Sequence, residues 1–177
     1  MLATCVANGW DISSYKNPEH QLQQVIRDEF EALSGERIAK VAVDGCGAPL
    51  FALSIRAIAR AIDNLIHSND PVHREVVSAC TSFPIMVSGI GRLPTILMEQ
   101  VPGLFAKDGA EGVMVMAHRS LGTIIWKMSD GSQRGAGPLA LATLSHLGLS
   151  AALEPEYVRG GGEVVGEIRA SRIVANG

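Results

Sequence analysis

Three features that identify large classes of protein are missing from this sequence. Its 177 residues carry 15 Lys and Arg against 18 Asp and Glu, a formal net charge of −3, so it lacks the basic excess typical of proteins that bind nucleic acids or anionic membranes. No uninterrupted run of about 18 apolar residues occurs, and no transmembrane helix is predicted. Three cysteines, too few and too scattered for a disulfide framework, favour a reducing, cytoplasmic location.

Apolar residues, by contrast, are plentiful and make up 47% of the chain. A chain of this length can bury roughly 70% of its unfolded surface in one core, and its composition argues against disorder. No internal repeat or low-complexity run divides it. The composition therefore predicts a single domain over residues 1–177.

Turn and capping residues divide the chain into helices and short strands. Helical periodicity between caps predicts helices over residues 1–7, 17–34, 50–66, 71–80, 94–99, 137–147 and 154–159. Apolar runs between turns predict strands over residues 38–43, 104–106, 113–117, 121–126 and 164–169. The predicted fold class is α+β, with an antiparallel sheet flanked by helices.

A lysine and a glycine-bearing turn lie between the two central strands. Lys107 follows the first strand, and an ammonium at this position can hold a carboxylate or lower the pKa of a neighbouring hydroxyl. Backbone N–H groups beside Gly109 can face a developing oxyanion. A solvated lysine at a hairpin is the alternative that the pattern leaves open.

The spacing around Lys107 is that of a serine-hydrolase element. Lys107-Asp108-Gly109 has the form of K-T-G, which accompanies S-x-x-K and S-D-N elements in one class of these enzymes. Asp108 takes the place of the threonine, so the hydroxyl of that element is missing. Residues 13–16 match S-x-x-K literally, but they lie in a predicted polar loop before Asn17-Pro18, and coincidence is the favoured explanation.

Two further turns carry candidate ligands. In residues 87–92, two glycines frame one residue before Arg92, whose guanidinium could bind a carboxylate; a tight turn with a surface arginine is the alternative. Cys46 lies between a predicted strand and a predicted helix, which would place its thiol at a helix N-terminus. By spacing alone it is a lone cysteine, for which a structural thiol is favoured over a zinc ligand.

Taken together, three segments resemble the bacterial L-asparaginase II family of the Rhizobium type, and the resemblance covers nearly the whole chain. They are Asp44-Gly45-Cys46-Gly47-Ala48-Pro49, the stretch from Val101-Pro102-Gly103 to Lys107-Asp108-Gly109-Ala110-Glu111-Gly112, and Asp130-Gly131-Ser132. The resemblance implies a fold of the β-lactamase and glutaminase type and an enzyme that converts L-asparagine to L-aspartate and ammonia. A serine would attack the amide carbon, and lysines would carry the protons.

The resemblance also implies roles for individual residues. Lys107 is the expected catalytic lysine of this chain, with Lys127 as a second candidate. Gly109, Ala110 and Arg92 are expected to line the substrate pocket. Cys46 matches a cysteine that binds zinc in the family, so zinc is a possible cofactor and Cys46 its candidate ligand.

The resemblance finally leads to an expectation about the extent of the chain. In the family, a Cys-Ser-Gly-Lys-His element precedes the segment that residues 1–5 match, so the chain is expected to be the C-terminal half of a longer asparaginase. The serine nucleophile and two partners of Cys46 would then lie outside it, and the chain would be inactive alone. The alternatives are a non-catalytic remnant or partner subunit, and a glutaminase or serine-hydrolase relative. A homodimer is expected, as the commonest assembly of such enzymes.

Overall fold

The computed structural model describes residues 1–171, and the contacts of the chain fall into two compact units, Met1–Leu65 and Ile66–Gly177. Within the described residues, the first unit contains one small antiparallel sheet, and the second contains two. The predicted α+β class is confirmed by this mixture of helices and antiparallel strands. The single domain over residues 1–177 stays a prediction.

The first unit consists of helices around a two-stranded hairpin. Its elements are α1 (Leu2–Asn8), α2 (Gln21–Ser34), β1 (Lys40–Val43), β2 (Pro49–Ala52) and α3 (Ile55–His67), whose last turn enters the second unit. Helix α2 starts later than predicted because residues 17–20 form a turn, after which the His20 ring accepts from the Leu22 N–H at 3.0 Å. Gly35 ends α2 in the left-handed conformation, as its position predicted.

The prediction of a helix over residues 50–66 is wrong at its start. Strand β2 pairs antiparallel with β1, with Lys40 opposite Ala52, and the helix begins only after Ser54. The Ser54 hydroxyl accepts from the Ala57 N–H at 3.1 Å and donates to the Glu36 carboxylate at 2.8 Å. Because a serine that caps a helix fixes where it begins, the preceding residues are free to form a strand. Cys46 therefore lies in a hairpin turn and not at a helix N-terminus.

The second unit consists of a three-stranded sheet with helices and a separate hairpin. Its elements are α4 (Pro71–Ser82), α5 (Pro84–Ser88), α6 (Leu93–Gln100), β3 (Leu104–Gly109), β4 (Val113–His118), β5 (Gly122–Lys127), α7 (Ala136–His146), β6 (Glu156–Gly160) and β7 (Glu163–Ile168). The predictions for α4, α6, α7 and the three central strands are confirmed. Helix α4 begins as predicted, with Asp70 accepting from the Val72 N–H at 2.8 Å.

The three-stranded sheet carries the apolar core of this unit on one face. Its strand order is β3-β4-β5, with Ala106 opposite Met116 and Asp108 opposite Met114. Alternate residues of a strand share a face, and this face packs against residues of α6 and α7. The buried cluster comprises Leu97, Met98, Val101, Leu104, Ala106, Met114, Met116, Ala140 and Leu144. Strand β3 is therefore an edge strand with a buried inner face.

The prediction of a helical piece over residues 154–159 is wrong. Strand β6 pairs antiparallel with β7, with Glu156 opposite Ile168. Gly161 and Gly162 both have positive φ angles, 59° and 89°, which is the backbone that a two-residue hairpin turn requires. The predicted final strand is confirmed as β7, but it pairs with β6 and not with the central sheet. Every residue of β6 is exposed, and only Ile168 of β7 is half-buried.

No helix in residues 1–171 has the combination of length and hydropathy needed to cross a membrane.

Candidate functional site

Asp108 is the centre of a polar cluster at the edge of the three-stranded sheet. Strand β3 places its side chain on the inner face, in line with Ala106, at the point where the apolar core ends. The side chain is only 17% exposed. A carboxylate this far from water needs compensating partners, and the surrounding residues supply them.

Both carboxylate oxygens of Asp108 are bound, each by a different cation. Lys107 Nζ lies 2.9 Å from Oδ1 and also donates to the backbone carbonyl of Asp108. Arg92 Nη2 lies 2.8 Å from Oδ2, and the Ser88 hydroxyl is 3.3 Å from Oδ1. The structure therefore brings together Lys107 and Arg92, two predicted site residues that are 15 positions apart in the chain.

These partners keep Asp108 ionised. Burial is the largest single influence and raises the pKa, but the hydrogen bonds from Lys107 and Arg92 and the charges of both cations together outweigh it. The pKa of Asp108 consequently lies below its ordinary value of 3.8. One carboxylate between two cations leaves the cluster with a net positive charge. Because Lys107 and Arg92 are 46% and 60% exposed, that charge faces solvent and favours an anion.

The turn between α5 and α6 positions Arg92 and Ser88. Ser88 is the last residue of α5, and Arg92 occupies the N-cap position of α6 without a side-chain capping hydrogen bond. Between them Gly89 adopts φ 99°, which residues with a side chain rarely do. The buried Thr95 hydroxyl lies 2.7 Å from the Gly89 carbonyl and 3.2 Å from the Pro84 carbonyl. The Thr95 hydroxyl thus fixes the backbone of the turn, and the side chains of Ser88 and Arg92 lie against Asp108 on β3.

Of the other predicted residues of the second unit, two lie beside this cluster and one lies away from it. Gly109 and Ala110 are exposed at the end of β3, and the Gly109 carbonyl accepts from Gln133 Nε2 at 2.8 Å. Lys127 ends β5, at the opposite edge of the sheet, and its Nζ donates to the Met128 carbonyl at 2.7 Å. Among the described contacts none joins Lys127 to Asp108. Lys107, rather than Lys127, is therefore the lysine of the cluster.

Cys46 belongs to the first unit and is exposed in the β1–β2 turn. Its Sγ lies 3.4 Å from Asp44 Oδ2. Within residues 1–171, no three side chains of the types His, Cys, Asp and Glu come close enough together to hold a metal ion. Zinc in proteins takes three or four protein ligands, so Cys46 and Asp44 do not by themselves fit zinc. Zinc binding at Cys46 stays a prediction.

Sequence reasoning missed the role of Ser88 and interpreted Asp108 only as a lost hydroxyl. In the structure, the Ser88 hydroxyl contacts the carboxylate that replaces the threonine. The contact joins residues 20 positions apart, and no local spacing predicts it. The charged residues of the sequence could have indicated part of the cluster. An aspartate on the inner face of an edge strand needs a cation as a partner, and Arg92 follows a glycine turn that could bring its guanidinium there.

The family whose model matches this chain is described as L-asparaginase II, and the match covers residues 1–170. Among curated proteins, none matches the chain significantly.

Proposed function

The chain belongs to the L-asparaginase II family, and from this membership we propose that it acts in the hydrolysis of L-asparagine to L-aspartate and ammonia, with Lys107 as its catalytic lysine. Amide hydrolysis is the activity of the family. The observation that supports a role for this chain is the position of Lys107. Its ammonium is bound to Asp108 at the sheet edge, while the side chain as a whole is still nearly half exposed.

Lys107 suits the stabilisation of negative charge. When a nucleophile adds to the side-chain amide carbon of asparagine, the amide oxygen becomes an oxyanion, and a fixed ammonium lowers the energy of that state. Because Asp108 holds the ammonium before substrate arrives, little reorganisation is needed during the reaction. The exposed backbone of Gly109 and Ala110 adjoins Lys107 and would line the same pocket.

Arg92 suits the recognition of the substrate carboxylate. Only Nη2 of its guanidinium binds Asp108 in the structure, and the guanidinium carries further N–H donors in a planar fork. With 60% of the side chain exposed, those donors can bind the α-carboxylate of asparagine. The net positive charge of the cluster favours the same anionic group.

Ser88 does not suit the role of nucleophile. Its hydroxyl lies against Asp108, and a carboxylate whose pKa is lowered by two cations is a weak base. A serine without a competent base is a poor nucleophile. We therefore assign Ser88 to holding Asp108 in place.

The two exposed cations of the cluster and the lack of an activated serine in it favour a second candidate function, the binding of an anionic amino acid without turnover. In the cluster, the residues suited to binding are present, whereas an activated hydroxyl is not. Under this alternative, Lys107 and Arg92 would hold the carboxylates of a ligand such as L-aspartate. This is the form that a non-catalytic partner subunit would take.

Ammonia release by the purified 177-residue chain tests the proposal. The cluster holds no activated hydroxyl, so turnover by the chain alone is expected to be slow or absent. Where turnover is measured, release from L-asparagine should exceed release from L-glutamine, and Lys107→Ala should lower kcat/KM about 100-fold or more, the usual effect of removing one oxyanion donor. Lys40→Ala, which removes an exposed strand lysine far along the chain, is the matched control. Lys127→Ala ranks the second candidate lysine. Circular dichroism verifies that each variant is folded.

Two results would limit the proposal. Undiminished turnover by folded Lys107→Ala would remove the lysine from the mechanism. No turnover by the unmodified chain would reject catalysis by this chain alone, and calorimetric titration with L-aspartate would then test the binding alternative, with Arg92→Ala expected to weaken binding. A homodimeric assembly and a cytoplasmic location stay predictions beside this proposal.

A further inference from the structure

We infer that Asp108 is a positioning residue for Lys107, a carboxylate that ties the lysine ammonium to the turn between α5 and α6. The catalytic consequence of this inference rests on the proposed function. The tie itself is a property of the folded chain and can be measured without any activity.

The backbone alone would not place the Lys107 ammonium beside Asp108. Successive side chains of a strand point to opposite faces of the sheet, so Lys107 and Asp108 leave β3 in opposite directions. The lysine nevertheless folds back to contact both the carboxylate and the backbone carbonyl of Asp108. Holding a long flexible side chain in one conformation costs entropy, and charge-assisted hydrogen bonds offset that cost.

The carboxylate is itself anchored from the other side. Arg92 Nη2 binds the second oxygen at 2.8 Å, and Ser88 approaches the first at 3.3 Å. Both residues belong to the turn that the buried Thr95 hydroxyl holds. The chain of contacts therefore runs from Thr95 through the turn to Arg92, then through Asp108 to Lys107.

The arrangement also lets two cations approach the same point. Lys107 and Arg92 would repel each other without the anion between them. Replacement of Asp108 by asparagine keeps the shape of the side chain but removes its charge, so both cations lose their common partner. Because both are substantially exposed to solvent, the released groups can be hydrated, and the fold is expected to persist.

Competitive amine labelling with N-hydroxysuccinimidyl acetate, followed by peptide mass spectrometry, measures the tie directly. An ammonium held in hydrogen bonds must leave them before its amine can react. We expect the labelling rate of Lys107 to rise about tenfold in Asp108→Asn, the equivalent of one lost charge-assisted hydrogen bond. Lys40 and Lys127 in the same sample are internal references and should not change. Asp108→Glu, which keeps the charge, should restore part of the protection.

A second variant keeps the test decisive if Asp108→Asn does not fold. Arg92→Gln removes the anchor of the carboxylate, so the labelling of Lys107 should rise relative to Lys127, although less than in Asp108→Asn. An unchanged ratio of Lys107 to Lys127 labelling in the folded variants would overturn the inference.

Kinetics then separate this inference from the proposed function. If the unmodified chain hydrolyses asparagine, Asp108→Asn should lower kcat more than it raises KM, with Asp108→Glu intermediate, because a displaced Lys107 fails chiefly in the transition state. Altered labelling without any turnover would support the positioning of Lys107 by Asp108 and reject catalysis by this chain alone. Turnover with unaltered labelling would support catalysis by this chain and reject the positioning of Lys107 by Asp108.

Discussion

Asp108 differs from its neighbours on β3 in the way its surroundings determine its charge. Its inner-face neighbours are buried and apolar, whereas Asp108 stands where the core ends and two cations begin. A threonine there would offer a hydroxyl and no charge. The carboxylate instead binds the Ser88 hydroxyl and both Lys107 and Arg92. Because two cations surround one anion, the surface around Asp108 is positively charged.

The lowered pKa of Asp108 predicts a pH-dependent contribution to stability. A carboxyl whose pKa is lower in the folded state stabilises the fold above its unfolded value, near 3.8, and this stabilisation is lost as the pH falls through the lower folded value. We therefore expect the free-energy difference between wild type and Asp108→Asn to be constant from pH 7 to about 5 and to shrink as the pH falls below about 4. Urea unfolding at several pH values measures it. A difference independent of pH would contradict the assignment.

Gly112 is predicted to be irreplaceable for steric reasons. Its φ is 71°, and an added Cβ would lie 2.7 Å from Met128 Cβ and 3.0 Å from the Ser132 carbonyl. Gly122→Ala is the matched control, because Gly122 has φ 88° in the same sheet with no atom within 4 Å of an added Cβ. We expect a loss of roughly 2–5 kcal/mol for Gly112→Ala and roughly 1–2 kcal/mol for Gly122→Ala. Urea titration compares them, and equal losses would mean that backbone conformation alone determines the cost.

At this scale the sequence predicted the residues that local patterns carry. Lys107 and Arg92 were found because glycines mark the turns beside them, and both lie in the Asp108 cluster. Ser88 was not found because its contact with Asp108 depends on how α5 packs against β3. The sequence predicts Cys46 at a helix N-terminus, whereas Ser54 caps the helix eight residues later.

At the scale of elements, the start of α4 offers a test of one capping interaction. Asp70 accepts from the Val72 N–H, and Pro71 occupies the first turn. Asp70→Ala is expected to cost about 1 kcal/mol, the usual loss when an N-cap side chain is removed. Asn69→Ala changes the exposed residue immediately before it and should fall within about 0.5 kcal/mol of wild type. Thermal and urea unfolding compare the two, and similar losses would show that the cap contributes nothing specific.

Elements with strong caps or long periodicity were predicted well, and short apolar stretches were not. Asp70-Pro71 and Gly35 fixed helix ends because their side chain or conformation acts on the local backbone. Strands β2 and β6 were read as helix because a four- or five-residue run does not distinguish the two periods. In both places the pairing strand decided the structure.

At the scale of the whole molecule, burial is distributed unevenly among the sheets. Strand β4 is paired on both sides, and its four middle residues are buried. Within residues 1–171, β6 and β7 pair only with each other, and all of their residues except Ile168 are exposed. Isolated two-stranded hairpins are marginally stable. We therefore expect amide hydrogen exchange to be slowest in Val113–His118 and fastest, among strands, in β6 and β7.

Exchange measured by mass spectrometry at two protein concentrations would also bear on assembly. Slow exchange of β6 and β7 that increases with dilution would indicate that another copy covers the hairpin. Slow exchange at both concentrations would contradict the expectation drawn from its exposure.

The α+β fold class of the protein could be predicted from its sequence, whereas the boundary between its two compact units could not. Turn chemistry and alternating periods predicted α+β, because each acts over a few residues. The two units arise from which elements pack together, and composition is uniform enough along the chain to give no boundary. The family match over residues 1–170 agrees with the resemblance seen in the motifs; the β-lactamase and glutaminase type of fold stays a prediction.

The glycine turn of the β6–β7 hairpin is a suitable site for inserting a reporter group. Gly161 and Gly162 are exposed, and a Cβ at either would meet nothing within 4 Å. A short epitope or a fluorophore attachment site inserted between them would extend into solvent, as tolerated insertions at exposed loop tips do. A reporter placed there would leave Lys107, Arg92 and Asp108 themselves unaltered.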